Sequence, residues 1–255
     1  MKKLMAIVLA AVMVLGLFAA CGKETVNDSG LKTVEAGKLL MSTNAAFPPY
    51  ETTTDNGGFE GIDVEIAGAI AEKLGLELEI LDMDFDSALL AVNEGKSDIV
   101  MAGVSVTDDR LLVMDFSTSY ATGVQVVIVK EGSDVTMDNL GEKLIGTQRG
   151  TTGNIYASGD YGDDHVKAYD NGATAVNALL NDQVDCVIID EAPAKEFVAA
   201  NAGLTLLEGT WVEEQYAIGM DKGNTELLNA VNKALEELTA DGTVQKIIDK
   251  YITAE

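Results

Sequence analysis

The sequence contains few of the residues on which metal binding and nucleophilic catalysis usually depend. Its 255 residues include one histidine, His165, and two cysteines, Cys21 and Cys186. Because His165 has no second histidine and no cysteine near it, a zinc site or a catalytic triad lacks the residues it needs. Cys186 lies in an apolar stretch typical of a buried strand, which indicates a packed, unreactive thiol. We therefore expect no metal, no cofactor and no enzymatic activity.

Basic residues are also scarce. Seventeen lysines and arginines stand against 42 aspartates and glutamates, which gives a formal net charge of −25. A surface with this charge repels nucleic-acid phosphates and anionic lipid headgroups, so nucleic acid is excluded as a partner. Hydrophobic residues make up 47% of the chain, which is the composition of a folded protein rather than a disordered one.

The N-terminus has the pattern of an export signal. Two lysines precede an unbroken apolar run, Leu4–Ala20, which ends in small residues and a cysteine. The run lacks the flanking charge that would stop it in a membrane. We expect residues 1–20 to be a signal peptide. The ending resembles a bacterial lipobox, with Phe18 in place of the usual leucine, so Cys21 is the predicted lipidation site. The alternative is ordinary secretion, with Cys21 lost or left as a free thiol.

Behind the cysteine, residues 21–35 are polar and without a hydrophobic pattern, which predicts a flexible tether between membrane and folded part. With Cys21 assigned to the lipid, Cys186 has no partner for an internal disulfide. About 220 residues remain, enough for one large domain or for two lobes of about 100 residues each.

An internal repeat favours two lobes. Residues 88–102 (ALLAVNEGKSDIVMA) align without gaps with residues 175–189 (AVNALLNDQVDCVII). Both consist of a helical apolar pattern, a polar turn, an aspartate and a short apolar strand. The two aspartates, Asp98 and Asp185, precede their strands and are interpreted as structural turn or cap residues. Each half of the chain therefore alternates strands with helices, which predicts an α/β fold with a mainly parallel sheet in each lobe.

The helices help to place the lobe boundaries. Residues 62–74 put apolar side chains on one helical face and end at Gly75, a natural helix stop. Two C-terminal helices, 225–239 and 243–251, have no counterpart in the second half, so we expect them to return to the first lobe. The predicted division is residues 36–121 for the first part of lobe 1, 122–215 for lobe 2 and 216–255 for the return, with two hinge crossings. Ligands of open parallel sheets bind beyond the carboxyl ends of the strands, so two facing lobes define a cleft.

The sequence resembles a known family over residues 36–255. It is similar to the bacterial extracellular solute-binding proteins of family 3, the polar amino-acid receptors of ABC importers. The resemblance rests on six strings in the family's order and spacing, namely TNAAFPPYE at 43–51, GIDVEIA at 61–67, SVTDDR at 105–110, DFS at 115–117, GTTG at 150–153 and VDCVIID at 184–190. It implies a two-lobed type II periplasmic-binding-protein fold.

Arg110 follows a strand, and Thr107 is a plausible N-cap of the short helix that carries it. The resemblance implies that Arg110 clamps the ligand's α-carboxylate, helped by N–H groups around Gly103 and Ser105 and by the Ser105 hydroxyl. Two parallel hydrogen bonds from a guanidinium suit a carboxylate. The alternative is a surface arginine paired with a nearby aspartate, Asp109 or Asp115.

The resemblance assigns the remaining ligand contacts to both lobes. Asp190, at the carboxyl end of the most apolar strand of the second half, should pair with the α-ammonium; otherwise it is an exposed loop acid. Phe47 and Phe85 should hold the ligand's side chain between them, with Tyr50 on the same wall, although core packing is the commoner fate of phenylalanine. The turn at Gly150-Thr151-Thr152-Gly153 should supply N–H groups and hydroxyls to the carboxylate.

Because of two departures from the family, the sequence does not define the chemical type of the ligand's side chain. Asn44 stands where several members that bind basic or amide ligands have aspartate, so Glu51 or another acid would have to supply a negative charge. Gln148 occupies a side-chain-reading position, and Arg149 beside it would oppose a basic ligand unless it points outward. A polar, amide or basic amino acid is compatible with this pattern.

The resulting hypothesis is a monomeric lipoprotein on the extracytoplasmic face of the cell membrane. It captures a free amino acid by closing two lobes and delivers it to the permease subunits of an ABC importer. The first alternative is an enzyme on the same scaffold, similar to cyclohexadienyl or arogenate dehydratases, which would require a positioned general acid or base. The second is a sensory amino-acid-binding lipoprotein.

Overall fold

The computed structural model describes residues 30–252. The predicted signal peptide, Cys21 and most of the predicted tether lie outside these residues. No helix in the described part is long and apolar enough to span a lipid bilayer.

Strands and helices alternate along the described chain. The strands are β1 (Lys38–Thr43), β2 (Ala46–Phe47), β3 (Glu51–Thr53), β4 (Phe59–Glu60), β5 (Glu77–Asp82), β6 (Ile99–Val100), β7 (Met114–Phe116), β8 (Ala121–Lys130), β9 (Ile145–Gln148), β10 (Val166–Tyr169), β11 (Cys186–Asp190), β12 (Leu204–Leu206), β13 (Val212–Tyr216) and β14 (Gly219–Asp221). The α-helices are α1 (Ile62–Leu74), α2 (Phe85–Asn93), α3 (Asp108–Val113), α4 (Thr152–Tyr161), α5 (Gly172–Leu180), α6 (Glu191–Ala200), α7 (Thr225–Ala240) and α8 (Thr243–Tyr251).

Two larger sheets, one in each lobe, confirm the predicted α/β fold. The lobe 1 sheet has the strand order β5-β1-β6-β14-β7, and the lobe 2 sheet has the order β10-β9-β11-β8-β12, with β13 also paired to β8. A small sheet, β2-β3-β4, follows β1. The sheets are mainly parallel, as predicted. Of the described strands, four of five in lobe 1 and five of six in lobe 2 run in one direction, whereas β14 and β8, which enter their sheets from the other lobe, pair antiparallel with their neighbours.

The internal repeat is reproduced in atomic detail at the two aspartates. The Asp98 carboxylate accepts a hydrogen bond from Leu40 N at 2.8 Å, and Asp98 N donates to Leu40 O at 2.8 Å. The Asp185 carboxylate and N–H make the same pair of contacts with Leu144, both at 2.7 Å. The interpretation of these aspartates as structural residues is therefore confirmed. Asp98 also accepts from Val34 N at 2.7 Å, so the last residues of the predicted tether lie against lobe 1.

Helix α1 shows why lobe 1 is built from both ends of the chain. Its buried face includes Ile62, Ile66 and Ile70, and it stops at Gly75 because that residue adopts a left-handed conformation, φ 67°. Helices α7 and α8 pack against α1. The chain passes between the lobes at β8 and β13, which pair so that Ala121 lies opposite Tyr216.

Cys186 is a free, fully buried thiol on β11. Burial, together with the charge of Asp185, raises the pKa of Cys186 to about 12. A thiol that stays protonated at neutral pH is a poor nucleophile. The prediction of a packed cysteine is confirmed.

Candidate functional site

A pocket lies between the lobes and contains most of the predicted ligand-binding residues. Ten of the eleven line it, and Tyr50 does not. Its lining is Asn44, Phe47, Glu51, Phe85, Ala102, Gly103, Ser105, Arg110, Gln148, Thr151, Thr152 and Asp190. The other two lining residues are Ala102, which was not predicted, and Glu51, which was predicted only as a possible source of negative charge.

Arg110 is held inside this pocket by the local structure of α3. The Thr107 side chain caps the helix by accepting from Arg110 N at 3.2 Å, as the sequence predicts. The Arg110 side chain is buried, with Nη1 donating to Ser105 O at 2.8 Å and Nη2 donating to Gly150 O at 3.2 Å. Among residues 30–252 no carboxylate lies within ion-pair distance of it, and Asp115 pairs with Lys222 instead. The buried guanidinium can therefore form an ion pair with an anion that enters the pocket.

Asp190 ends β11 and is buried as well, with 7% of its surface exposed. One carboxylate oxygen accepts from the Tyr216 hydroxyl, and the other accepts from Gln125 Nε2 at 2.9 Å. Burial raises the pKa of Asp190 to about 7, and the charge of Glu214 adds to this, while the hydrogen bonds from Tyr216 and Gln125 oppose it. Asp190 is therefore a buried acid and not an exposed loop residue.

Two further acids stand at the lobe 1 side of the pocket. Glu51 is 0% exposed, and neither of its carboxylate oxygens has a hydrogen bond of normal geometry. Burial raises the pKa of Glu51 well above its usual range, and the charge of Asp63 raises it further. Asp63 accepts from Gly103 N at 2.9 Å, and burial raises its pKa to about 6. An acid without a partner that faces a pocket can accept a cation there.

Aromatic rings form one wall of the pocket. Phe47 and Phe85 line it, and the Arg110 guanidinium carbon lies 5.4 Å from the centre of the Phe85 ring. Tyr50 lies behind Phe47, with ring centres 5.8 Å apart, and makes an edge contact with Tyr216 at 5.2 Å. Tyr50 thus supports the wall without lining it.

Direct contacts between the lobes show that the cleft is closed. Gln148 Nε2 donates to Asn44 Oδ1 at 3.0 Å, and the bond from Arg110 to Gly150 also crosses the cleft. Asn44 in turn donates to Met83 O at 2.9 Å. Arg149 lies outside the pocket, where its side chain is exposed and donates to Ala168 O at 3.1 Å. Its positive charge therefore does not oppose a cationic ligand.

The two threonines of the 150–153 turn have different surroundings. Thr151 caps α4 by accepting from Asn154 N at 3.3 Å, and its hydroxyl donates to Gln148 O at 2.8 Å. The Thr152 hydroxyl donates to Glu214 at 2.7 Å, and Gln125 Nε2 donates to the same carboxylate at 3.1 Å. Sequence reasoning missed Gln125, Glu214 and Tyr216, which surround Asp190 and belong to no recognisable motif.

Comparisons with known proteins agree with this architecture. The family model described as "Bacterial extracellular solute-binding proteins, family 3" matches residues 39–254. The chain is 33% identical to a probable histidine-binding protein of Neisseria gonorrhoeae, over 100% of this chain and 97% of the relative. It is 30% identical to the L-cystine-binding protein TcyJ of Escherichia coli strain K12, over 97% and 95%.

A solved structure extends the likeness to three dimensions. The arginine-, lysine-, histidine-binding protein ArtJ from Geobacillus stearothermophilus superposes with a TM-score of 0.81 at 32% identity, covering 86% of this chain and 96% of that one. The chain therefore belongs to the bacterial extracellular solute-binding proteins, family 3.

Proposed function

We propose that this protein is the substrate-binding component of an ABC importer for amino acids and holds a free amino acid in the interlobe pocket. The observation that carries the proposal is that one pocket contains both Arg110, a buried cation without an acidic partner among the described residues, and Asp190, a buried acid. An amino acid presents a carboxylate to the first and an ammonium to the second. The printed names of the relatives, which bind histidine, cystine, arginine or lysine, support this assignment.

The side chain of the ligand is best matched by a basic amino acid. Glu51, Asp63, Asp190 and Glu214 are buried in or next to the pocket, whereas Arg110 is the only cation that lines it among the described residues. A guanidinium or ammonium beside Glu51 would supply the cationic partner that the Glu51 carboxylate lacks among the described residues. Phe47 and Phe85 can stack on the aliphatic or planar part of such a side chain, and cation–π attraction adds about 0.5 to 2 kcal/mol.

Capture proceeds by closure. In the open form Arg110, Ser105 and Gly103 on lobe 1 hold the carboxylate, and rotation about the crossings brings Thr152 and Asp190 onto the ligand. Because contacts from lobe 2 form only in the closed state, the ligand's binding energy favours closure. The permease subunits then receive the closed complex.

A binding role is favoured over catalysis. The relatives compared are named as binding proteins, and His165, the sole histidine, does not line the pocket. Unchanged prephenate and arogenate after incubation with the protein would agree with this. A sensory role uses the same pocket and is distinguished by whether deletion of the gene abolishes amino-acid uptake.

Attachment to the membrane is part of the proposal. The lipobox-like ending at Cys21 supports lipidation, and the polar segment after it supports a tether on the extracytoplasmic face. A single chain contains the complete pocket, which supports a monomer. Mass spectrometry of the mature N-terminus should find a diacylglyceryl-modified Cys21.

The assignment of Glu51 can be tested with Glu51→Gln. We expect wild type to bind arginine more tightly than glutamine, and the variant to lose at least tenfold in arginine affinity while its glutamine affinity changes less than threefold. The reason is that an amide keeps the shape of the side chain but cannot ionise beside a cationic ligand. Isothermal titration calorimetry with arginine, lysine, ornithine, histidine, glutamine and cystine measures the change.

The matched control is Glu60→Gln, which removes an exposed acid of the neighbouring strand β4. It should leave every affinity within twofold. If Glu51→Gln lowers arginine and glutamine affinities by the same factor, Glu51 is a structural residue and the basic ligand is wrong.

Closure can be tested at Gly150. Its φ of 73° favours glycine, and a Cβ built there would lie 1.6 Å from Asp86 Oδ1 on the opposite lobe. Gly150→Ala should therefore hinder closure and weaken arginine binding at least tenfold, with a smaller ligand-induced compaction in small-angle X-ray scattering. Adding Asp86→Ala to this variant should restore part of the affinity. Full affinity in Gly150→Ala alone would contradict the closed arrangement described above.

A further inference from the structure

Tyr216 occupies the second crossing between the lobes, where β13 ends. It is 0% exposed. Its backbone is held by lobe 1 and by the first crossing, because it forms an isolated β-bridge with the pocket residue Ser105, and Tyr216 O accepts from Tyr120 N at 3.0 Å. The adjacent Ala217 N donates to Val104 O at 3.1 Å. Tyr216 is thus fixed to the loop that precedes Arg110.

The side chain of Tyr216 reaches the other lobe. Its hydroxyl donates to Asp190 at the end of β11. The ring fits only because Gly123 leaves room for it, since a Cβ on Gly123 would lie 2.5 Å from the ring. A ring confined in this way has little freedom to move its hydroxyl away from Asp190.

From this geometry we infer that Tyr216 is a positioning residue that links the two halves of the ligand site, holding the Asp190 carboxylate oriented relative to the Ser105 loop. The inference deepens the proposed function, on which it rests, by assigning a residue that the family resemblance did not supply. Asp190 is then oriented to bind the ligand's ammonium only when the second crossing holds the Tyr216 hydroxyl in place.

The groups around Asp190 have opposing effects on its ionisation, and the Tyr216 hydroxyl is one of those that favour the ionised form. Glu214 on β13 opposes ionisation of Asp190, and Gln125 on β8 supports it with one hydrogen bond. Glu51 and Tyr50 border the same region from lobe 1, and Arg110 contributes an attractive charge. Among the groups that favour the ionised form, the Tyr216 hydroxyl has the largest effect, so its removal should raise the pKa of Asp190.

Tyr216→Phe tests the inference because it removes only the hydroxyl. An NMR titration of the Asp190 side-chain carboxyl in the ligand-free protein should give a pKa about one unit higher than in wild type. Arginine affinity should fall about fivefold at pH 7, because the ionised fraction of Asp190 drops from about one half at a pKa of about 7 to about one tenth at a pKa one unit higher, and the loss should shrink at pH 9. Tyr251→Phe, which removes a hydroxyl that donates to Glu65 at 2.6 Å, is the control and should change neither quantity.

Other results would overturn the inference. An unchanged Asp190 pKa, or an affinity loss of the same factor at every pH from 6 to 9, would make Tyr216 a packing residue only. If Tyr216→Phe does not fold, Gly123→Ala displaces the ring while keeping the hydroxyl and should raise the same pKa. Because the NMR titration needs no ligand, failure of this inference is separate from failure of the wild-type protein to bind any amino acid.

Discussion

Arg110→Ala is expected to lower arginine affinity by two to three orders of magnitude while leaving the protein folded. Removing one partner of a buried, hydrogen-bonded charge pair costs about 2 to 5 kcal/mol, and each 1.4 kcal/mol is a factor of ten. Within residues 30–252, the Arg110 side chain donates only to two carbonyl groups, at Ser105 and Gly150. Its loss should therefore affect the ligand far more than the fold. Calorimetry gives the affinity, and circular dichroism gives the unfolding temperature.

Two other arginine variants sharpen this experiment. Arg149→Ala removes the only other arginine of the chain, which is exposed beside the pocket-lining Gln148. It should keep affinity within about twofold. Arg110→Lys retains the charge but loses the paired donors of the guanidinium, so an intermediate loss is expected. Near-normal arginine binding by Arg110→Ala would reject the carboxylate clamp, whatever the behaviour of the other two variants.

Much of the fold could be predicted because local patterns and packing agree. The apolar face of α1 and its stop at Gly75, the cap at Thr107 and the structural roles of Asp98 and Asp185 all depend on neighbours close in sequence or on a repeated unit. The antiparallel strands were not predicted. Strand direction for β8 and β14 depends on where the chain enters a sheet after crossing between lobes, and short apolar runs do not encode this.

The candidate site also contains residues that could be predicted from the sequence and residues that could not. Residues in strings shared with the family, such as Arg110 and Asp190, come together in the pocket. Tyr216, Gln125 and Glu214 lie on the crossing strands and are isolated polar residues within ordinary strand patterns. Their importance arises only when β8 and β13 bring them beside the end of β11. A signal was nevertheless present, because a strand that alternates into a buried core seldom carries glutamine or glutamate at buried positions without a partner.

Asp190→Asn is expected to change binding and stability in opposite directions. Asparagine keeps the size of the side chain but cannot neutralise the ligand's ammonium, so arginine affinity should fall about a hundredfold or more. The neighbouring contacts can survive. The asparagine Oδ1 can still accept from Gln125 Nε2, and its amide nitrogen can donate to the Tyr216 hydroxyl oxygen, because a hydroxyl both donates and accepts. Calorimetry on folded protein measures the loss.

In the absence of ligand, Asp190→Asn should have a higher unfolding temperature than wild type at neutral pH. The pKa of Asp190 is raised to about 7 in the folded protein, whereas an aspartate in an unfolded chain has a pKa near 4. Between these two values the folded state holds a proton that the unfolded state has released, so stability falls as pH rises through this window. Asparagine has no such dependence. Its advantage in unfolding temperature should be near zero at pH 4 and largest above pH 7, at several degrees.

Glu191→Gln is the matched control for both measurements. Glu191 follows Asp190 directly but forms an ion pair with Lys195 at 3.2 Å on the surface of α6, so its neutralisation should leave affinity and unfolding temperature nearly unchanged. If Asp190→Asn proves less stable than wild type at pH 8, the Asp190 carboxylate stabilises the fold rather than destabilising it. Its burial would then need no ligand to explain it. A stabilised variant that no longer binds arginine is the result expected of a residue kept for function at the expense of stability.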